Sequence, residues 1–337
     1  MSDSRPVPAL PGRASLGAAA VPRLLRAILP GLALAVILVA IFILQPRAMS
    51  YFGLNLLLNL SIPIVFATLA QMFILTVGDL DLSVGGMVSF VATVSVTYLA
   101  EQPVLGVAIL IGAIALYACV GALIELRRLP AIVVTLGMSF VWFGLAVLVL
   151  PSPGGRAPEW LIALMAWKPP VIPLPILAAL LIAAIGHIAL MTSSYGAILR
   201  GAGGNARSIA RAGWSMLRVR MTLYALAGFM GVLSGLSLTG ITTSADSNIA
   251  LRYTLISIAG AILGGSEFVG GRVSPIGAVL GALTMTLAAS FLSFLRLSPD
   301  WQIGVQGAIL ILVLALRALI NAWSARASRR RAGTAAP

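Results

Sequence analysis

The residues with the most chemistry in them are two acids, Asp79 and Asp81, in the stretch Gly78-Asp79-Leu80-Asp81-Leu82-Ser83-Val84-Gly85-Gly86. Two carboxylates this close can share acid–base work. A hydrolytic site also needs a polar pocket and further proton-transfer partners, and the flanking sequence supplies none. The stretch lies between long apolar runs, where a carboxylate is expensive and often functional. It also precedes an apolar run, so Asp81 or Ser83 can cap a helix whose N-terminal dipole favours an anion. Both readings stand at this point.

Other reactive types are sparse. There is one histidine, His187, and one cysteine, Cys119, each inside an apolar run. A single cysteine excludes an intrachain disulfide and a cysteine-built metal site. A lone membrane histidine either relays protons or, more commonly, packs and bonds to a neighbouring helix. Glu125 precedes Arg127-Arg128 and reads as their local partner, while Glu267 sits in a Gly-rich turn and reads as facing the surface or a partner. Asp246 and Asp300 fall in loops, where they meet a partner or water. Arginine supplies 21 of the 22 basic residues, and the one lysine, Lys168, sits in Ala166-Trp167-Lys168-Pro169. A Gly-x-x-x-x-Gly-Lys-Ser/Thr phosphate loop needs a lysine in a different setting. No Ser/His/Asp or metal constellation emerges, so the chain does not read as an enzyme, and no catalytic residue, cofactor or metal is expected.

The elements that hold these residues must sit in lipid. The chain is 60% hydrophobic and only 9% charged, with a mean hydropathy of +1.06. A soluble domain carries about 25% charged residues. The sequence therefore predicts an all-α, polytopic transmembrane helical bundle of about ten spans. Residues 1–22 read as a disordered tail, 23–322 as the membrane domain and 323–337 as a basic tail. The predicted spans are 24–44, 54–77 with a kink at Pro63, a third ending at Leu99, 104–126, 131–150, 174–191, 221–239, a short one at 253–263, 275–295 and 303–320. Each is near the roughly 20 residues a bilayer needs or is interrupted by Gly or Pro. Gly231/Gly235, Gly260/Gly264 and Gly277/Gly281 recur at a spacing of four, which lets helix backbones approach closely. Spans two to five and seven to ten are possible inverted copies, without sequence similarity strong enough to decide.

Charge sets the orientation. With the amino terminus inside, the loops at 78–83, 127–130, 192–220 and 265–273 and the carboxyl terminus are also inside. The opposite side then holds Arg47, Arg156, Lys168, Arg252 and Arg296, and the inner side the remaining 17 basic residues. Positive charge stays cytoplasmic. Both termini are therefore expected in the cytoplasm, and the net charge of +13 needs no nucleic acid to explain it.

The longest polar segment, Tyr195 to Arg220, carries Arg200, Arg207, Arg211, Arg218 and Arg220. The Gly201-Ala202-Gly203-Gly204 run should break the preceding helix, and Asn205 should cap a new one. Ala206, Ile209, Ala210, Gly213 and Trp214 then share one face, and Arg207, Arg211 and Arg218 the other. This predicts a short amphipathic helix between two spans. It is either a basic loop that sets orientation and touches anionic lipid, or a docking helix for a partner protein.

Four stretches in order carry a resemblance. They are Gly78-x-x-Asp81-Leu82-Ser83-Val84-Gly85; Pro130-Ala131-Ile132-Val133-Val134-Thr135-Leu136-Gly137-Met138; Tyr195-Gly196 with Gly203-Gly204-Asn205, Ala210 and Gly213; and Gly264-Gly265-Ser266 with Gly270-Gly271-Arg272 and Gly277. Over about residues 50 to 320 the chain resembles the membrane permease subunit of bacterial ABC importers of the ribose/monosaccharide type, in the branch that also holds permeases of the leucine type. Asp79 stands where that family commonly has a second glycine, and Val273 where glycine is frequent. The resemblance implies a multi-pass inner-membrane permease for a monosaccharide or related polyol. It would work with a separate ABC ATPase subunit, a second permease copy or homologue and a periplasmic substrate-binding protein, within the lipid bilayer. It implies ATPase coupling through Gly204, Asn205, Ala206, Arg207, Ile209, Ala210, Arg211, Gly213 and Trp214. Asp79, Asp81, Ser83 and Thr135 are the translocation or gate candidates. The competing functions are an ion-coupled secondary transporter using Asp79, Asp81 or His187, and a polytopic membrane enzyme, which lacks a catalytic constellation.

Overall fold

The computed structural model describes residues 13–296 and single positions between 301 and 315, with side chains from residue 28 onward. Most of the predicted tenth span, the start of the amino-terminal tail and the 323–337 tail lie outside the described residues. Among those described, regular structure is helical apart from one isolated bridge between Gly154 and Ala245. The helices are α1 (Arg13–Leu44), α2 (Tyr51–Leu58), α3 (Ser61–Thr76), α4 (Val84–Val94), α5 (Pro103–Arg127), α6 (Ala131–Val149), α7 (Glu159–Ala166), α8 (Leu174–His187), α9 (Ser194–Gly204), α10 (Ala206–Arg211), α11 (Met216–Thr242), α12 (Tyr253–Leu263) and α13 (Pro275–Phe294). Single π turns prolong α4 to Leu99 and α8 to Thr192.

Among the described residues, five helices are long and apolar enough to cross a membrane, and the pair α2–α3 makes a sixth, bent crossing. The other apolar helices, Ile28–Leu44, Val84–Leu99 and Tyr253–Leu263, are shorter. Several expectations need correction. α1 begins at Arg13, inside the stretch read as a disordered tail. The 43° bend of the second span falls at Asn59–Leu60, not at Pro63. Proline lacks the N–H that would reach back four residues, and its ring crowds that carbonyl. The break is therefore pushed back to Asn59, and Pro63 sits in the first turn of α3. The break predicted over 151–175 contains a short helix, α7. The 192–220 loop is mostly helical, because α9 runs through the glycine run to Gly204 and α11 starts at Met216.

α11 is the central pillar and packs on α3, α4, α5 and α7. The small-residue spacing works as expected where α12 meets α13. There a Cβ on Gly277 would overlap the Gly264 carbonyl, and one on Gly281 the Gly260 carbonyl. A Cβ on Gly235 would lie 2.5 Å from the Val91 side chain, which brings α11 against α4.

Two half-length helices meet inside the bundle. Ser83 Oγ, at the start of α4, lies 2.9 Å from Tyr117 Oη, near the middle of α5. Tyr117 in turn packs against Gly228, near the middle of α11. α5 is about 37 Å long at roughly 1.5 Å per residue, so α4 begins near mid-depth. α12 begins beside it. The Gly85 N–H donates to Thr254 Oγ1 (2.9 Å) and the Ala250 N–H to Ser89 Oγ (3.0 Å). From this meeting point α4 runs towards Leu99 and the Gly106 start of α5, and α12 towards the turn at 265–273. α3–loop–α4 and α11–loop–α12 thus have opposite senses, the arrangement of an inverted repeat.

One consequence corrects the charge map. The loop Thr243–Arg252 leaves α11 beside Gly154 and then descends to Gly85. Arg252 is therefore at mid-depth rather than on the outer surface. Several of the other loops group at the two ends of the bundle. Thr76, Gly203 and Gly271 converge at one end, where Gly271 N–H donates to Thr76 O (2.8 Å). At the opposite end Tyr51 Oη donates to Pro169 O (2.5 Å), and the Gly154–Ala245 bridge ties the neighbouring loops.

Candidate functional site

The loop from Gly78 to Ser83 is irregular backbone inside an apolar bundle, so its polar groups must all find partners. The sequence supplies them one by one. Gly78 takes a left-handed conformation (φ 79). The Gly78 N–H donates to Leu75 O and the Asp79 N–H to Ile74 O, a paired helix stop that favours glycine. Gln71 of α3 is fully buried, and its amide fits against Asp81, nitrogen to C=O (3.0 Å) and oxygen to N–H (3.2 Å). The Leu82 N–H donates to Thr135 Oγ1 (3.2 Å), which joins the second turn of α6 to the loop.

Asp81 is fully buried. Its carboxylate accepts from Ser83 N–H (2.7 Å), Ser83 Oγ (2.7 Å) and Tyr117 Oη (2.8 Å). Three donors suit an ionised, acceptor-only carboxylate. Its bond to the Ser83 N–H closes a local turn just before α4. Ser83 holds the N-cap position but makes no side-chain cap bond. Tyr117 also stacks on Trp142 of α6, with ring centroids 5.9 Å apart.

Asp79 has a different set of partners. It meets Arg220 Nε (3.2 Å) and accepts from Tyr224 Oη (3.1 Å), both on α11. Arg220 also pairs with Glu125 on α5 (2.6 Å). Glu125 is therefore not the local partner of Arg127-Arg128; it closes a three-element ion cluster. His187 sits half-buried in the last turn of α8 and makes no hydrogen bond among the described residues. That corrects the expectation of a bond to a neighbouring helix, and neither Asp79 nor Asp81 contacts it.

The amphipathic segment is built as follows. Asn205 Oδ1 accepts from Ser208 N–H (3.1 Å) and starts α10. Gly213 (φ 83) ends it, with Gly213 N–H to Ala210 O and Trp214 N–H to Ile209 O. Two corrections follow. Trp214 lies beyond the helix end and packs on Tyr195 (5.9 Å between centroids). Arg218 belongs to α11, whose start Ser215 caps. No residue of α10 is buried, and Ile209 turns back towards Gly201 of α9. Gly204 and Arg200 line a cavity of about 380 Å³ with Glu267, Gly270, Gly271 and Arg272. Sequence reasoning missed Gln71, Tyr117, Tyr224 and Arg220 as partners of the acidic loop. Their signal was polar groups placed inside apolar runs.

Residues 53–314 match the family described as the branched-chain amino acid transport system permease component. The chain belongs to this permease family. It is 27% identical over 307 residues to "Probable ABC transporter permease protein YphD" of Escherichia coli (strain K12), covering 88% of this chain and 91% of that one. It is 25% identical over 291 residues to the ribose import permease protein RbsC of the same organism, covering 82% and 90%. It is 27% identical over 311 residues to the galactose/methyl galactoside import permease protein MglC, also from that organism, covering 84% and 91%. No solved structure matches the chain.

Proposed function

We propose that this chain is the permease subunit of an ATP-driven importer for a monosaccharide or related polyol. A separate ABC ATPase would drive it, and a substrate-binding protein would feed it, with a second permease copy or homologue alongside. The observation that carries the reading is α10, an exposed, capped helix held at the end where the predicted cytoplasmic loops converge. Such a helix suits recognition in a groove. The relatives named for a solute carry ribose or galactose, which supports a sugar over an amino acid. In this reading Gly204, Asn205, Ala206, Arg207, Ile209, Ala210, Arg211, Gly213 and Trp214 receive the ATPase, and Asp79, Asp81, Ser83 and Thr135 hold the gate loop. The termini lie in the cytoplasm.

The test is uptake by the permease, reconstituted with its ATPase and binding protein. Uptake should require ATP, and an ion gradient should not replace it. Ala210→Glu puts a charge on an exposed position of α10 without disturbing the bundle. It should leave the permease inserted but lower ATP-driven uptake about tenfold or more. Unchanged ATPase capture and uptake would reject docking at α10.

A further inference from the structure

Arg252 is in the wrong place for a lipid-facing residue. It precedes α12 by one position, beside Gly85 and Thr254, at the depth where the two half-helices meet. It is exposed, and its guanidinium makes no hydrogen bond or ion pair with any described residue. A charge at mid-membrane faces a water-filled cavity or the bundle interior, because hydrocarbon cannot solvate it. The first part of the loop that delivers it is polar, with Thr243, Ser244, Asp246, Ser247 and Asn248, before the apolar Ile249, Ala250 and Leu251 lead into Arg252. Asn248 is exposed as well, and Asp246 spends one carboxylate oxygen on the Asn248 N–H (2.6 Å). Irregular backbone at membrane depth occurs only where protein buries it or where it lines water. The exposed Asn248 and Arg252 side chains on this loop therefore call for water or protein beside them, not hydrocarbon.

Resting on the importer reading, we propose that Asn248 and Arg252 stand in the aqueous translocation path, and that the Arg252 guanidinium meets the oxygen atoms of the passing solute. A fork of N–H donors beside a side-chain amide suits a hydroxyl-rich, neutral or anionic molecule and repels a cationic one.

The experiment uses the full complex in membranes, in a Cys119→Ser background. Arg252→Cys should react with a membrane-impermeant, sulfonate-bearing methanethiosulfonate in at least one state, resting or with ATP hydrolysis trapped. Asn248→Cys should react several-fold faster with the anionic reagent than with a cationic one, and adding Arg252→Gln should bring the ratio near one. Arg252→Leu should lower uptake about tenfold, and Arg252→Lys should restore part of it. Silence of both thiols in both states, or an unchanged reagent ratio, overturns the proposal. The thiol chemistry needs no substrate, so ATP-independent uptake by the wild-type complex would sink the importer reading alone.

Discussion

At the scale of single residues, Asp81 is the best-determined group in the protein. Its carboxylate has three donors, and its backbone is clasped by Gln71. Tyr117→Phe removes one donor to a buried charge, which costs about 1.5–3 kcal/mol. Equilibrium unfolding of the purified protein should show a loss in that range, and no loss would mean Tyr117 is not the partner seen here. The sequence made Asp81 visible because a carboxylate next to a spanning segment stands out. It could not show Tyr117 or Tyr224, which are 36 and 145 residues from the acids they bond. Glu125 went astray for the same reason. Its neighbours in sequence are arginines, yet its partner is Arg220, 95 residues on. That choice is not made by helix dipoles. An acid in the last turn of α5 and an arginine near the start of α11 each sit at the end a dipole disfavours, so each offsets the other.

At the scale of elements, the helices that follow composition were legible almost to the residue. α5, α6, α12 and α13 begin and end within two residues of the predicted spans, because Pro, Gly and Arg punctuate them. The elements that depend on tertiary contact were not. The bend before Pro63, the extension of α9 through four residues containing three glycines and the descent of residues 243–252 are all set by what packs there. Glycine weakens a helix without forbidding it. α9 tolerates its glycines because Gly203 fits against Thr76 and Gly271 where no side chain could. The α12–α13 contact makes a sharper prediction. Gly264→Leu would drive a side chain into the Gly277 backbone, and overpacking of this kind costs about 1–3 kcal/mol or more. Reduced yield of folded permease in detergent, with the α6 variant Gly137→Ala unaffected, is the expected outcome. Gly137 has open space around it.

At the scale of the molecule, the loops predicted to share a side do cluster at one end, while the side itself is read from arginine placement. Single cysteines in the Cys119→Ser background test it. Ser208→Cys on α10 should be shielded from impermeant reagent in intact cells and react in inverted vesicles. Ser152→Cys, in the loop near the Gly154 bridge, should do the reverse. The opposite pattern would turn the protein over and place α10 away from any cytosolic ATPase.

The junction of α4 and α12 has a mechanical consequence. At mid-thickness the barrier is a join between two chain segments, not an unbroken rod. Each half can move with the neighbours of its own half of the bundle, because the bonds across the join run from backbone to a side-chain hydroxyl rather than along one continuous helix.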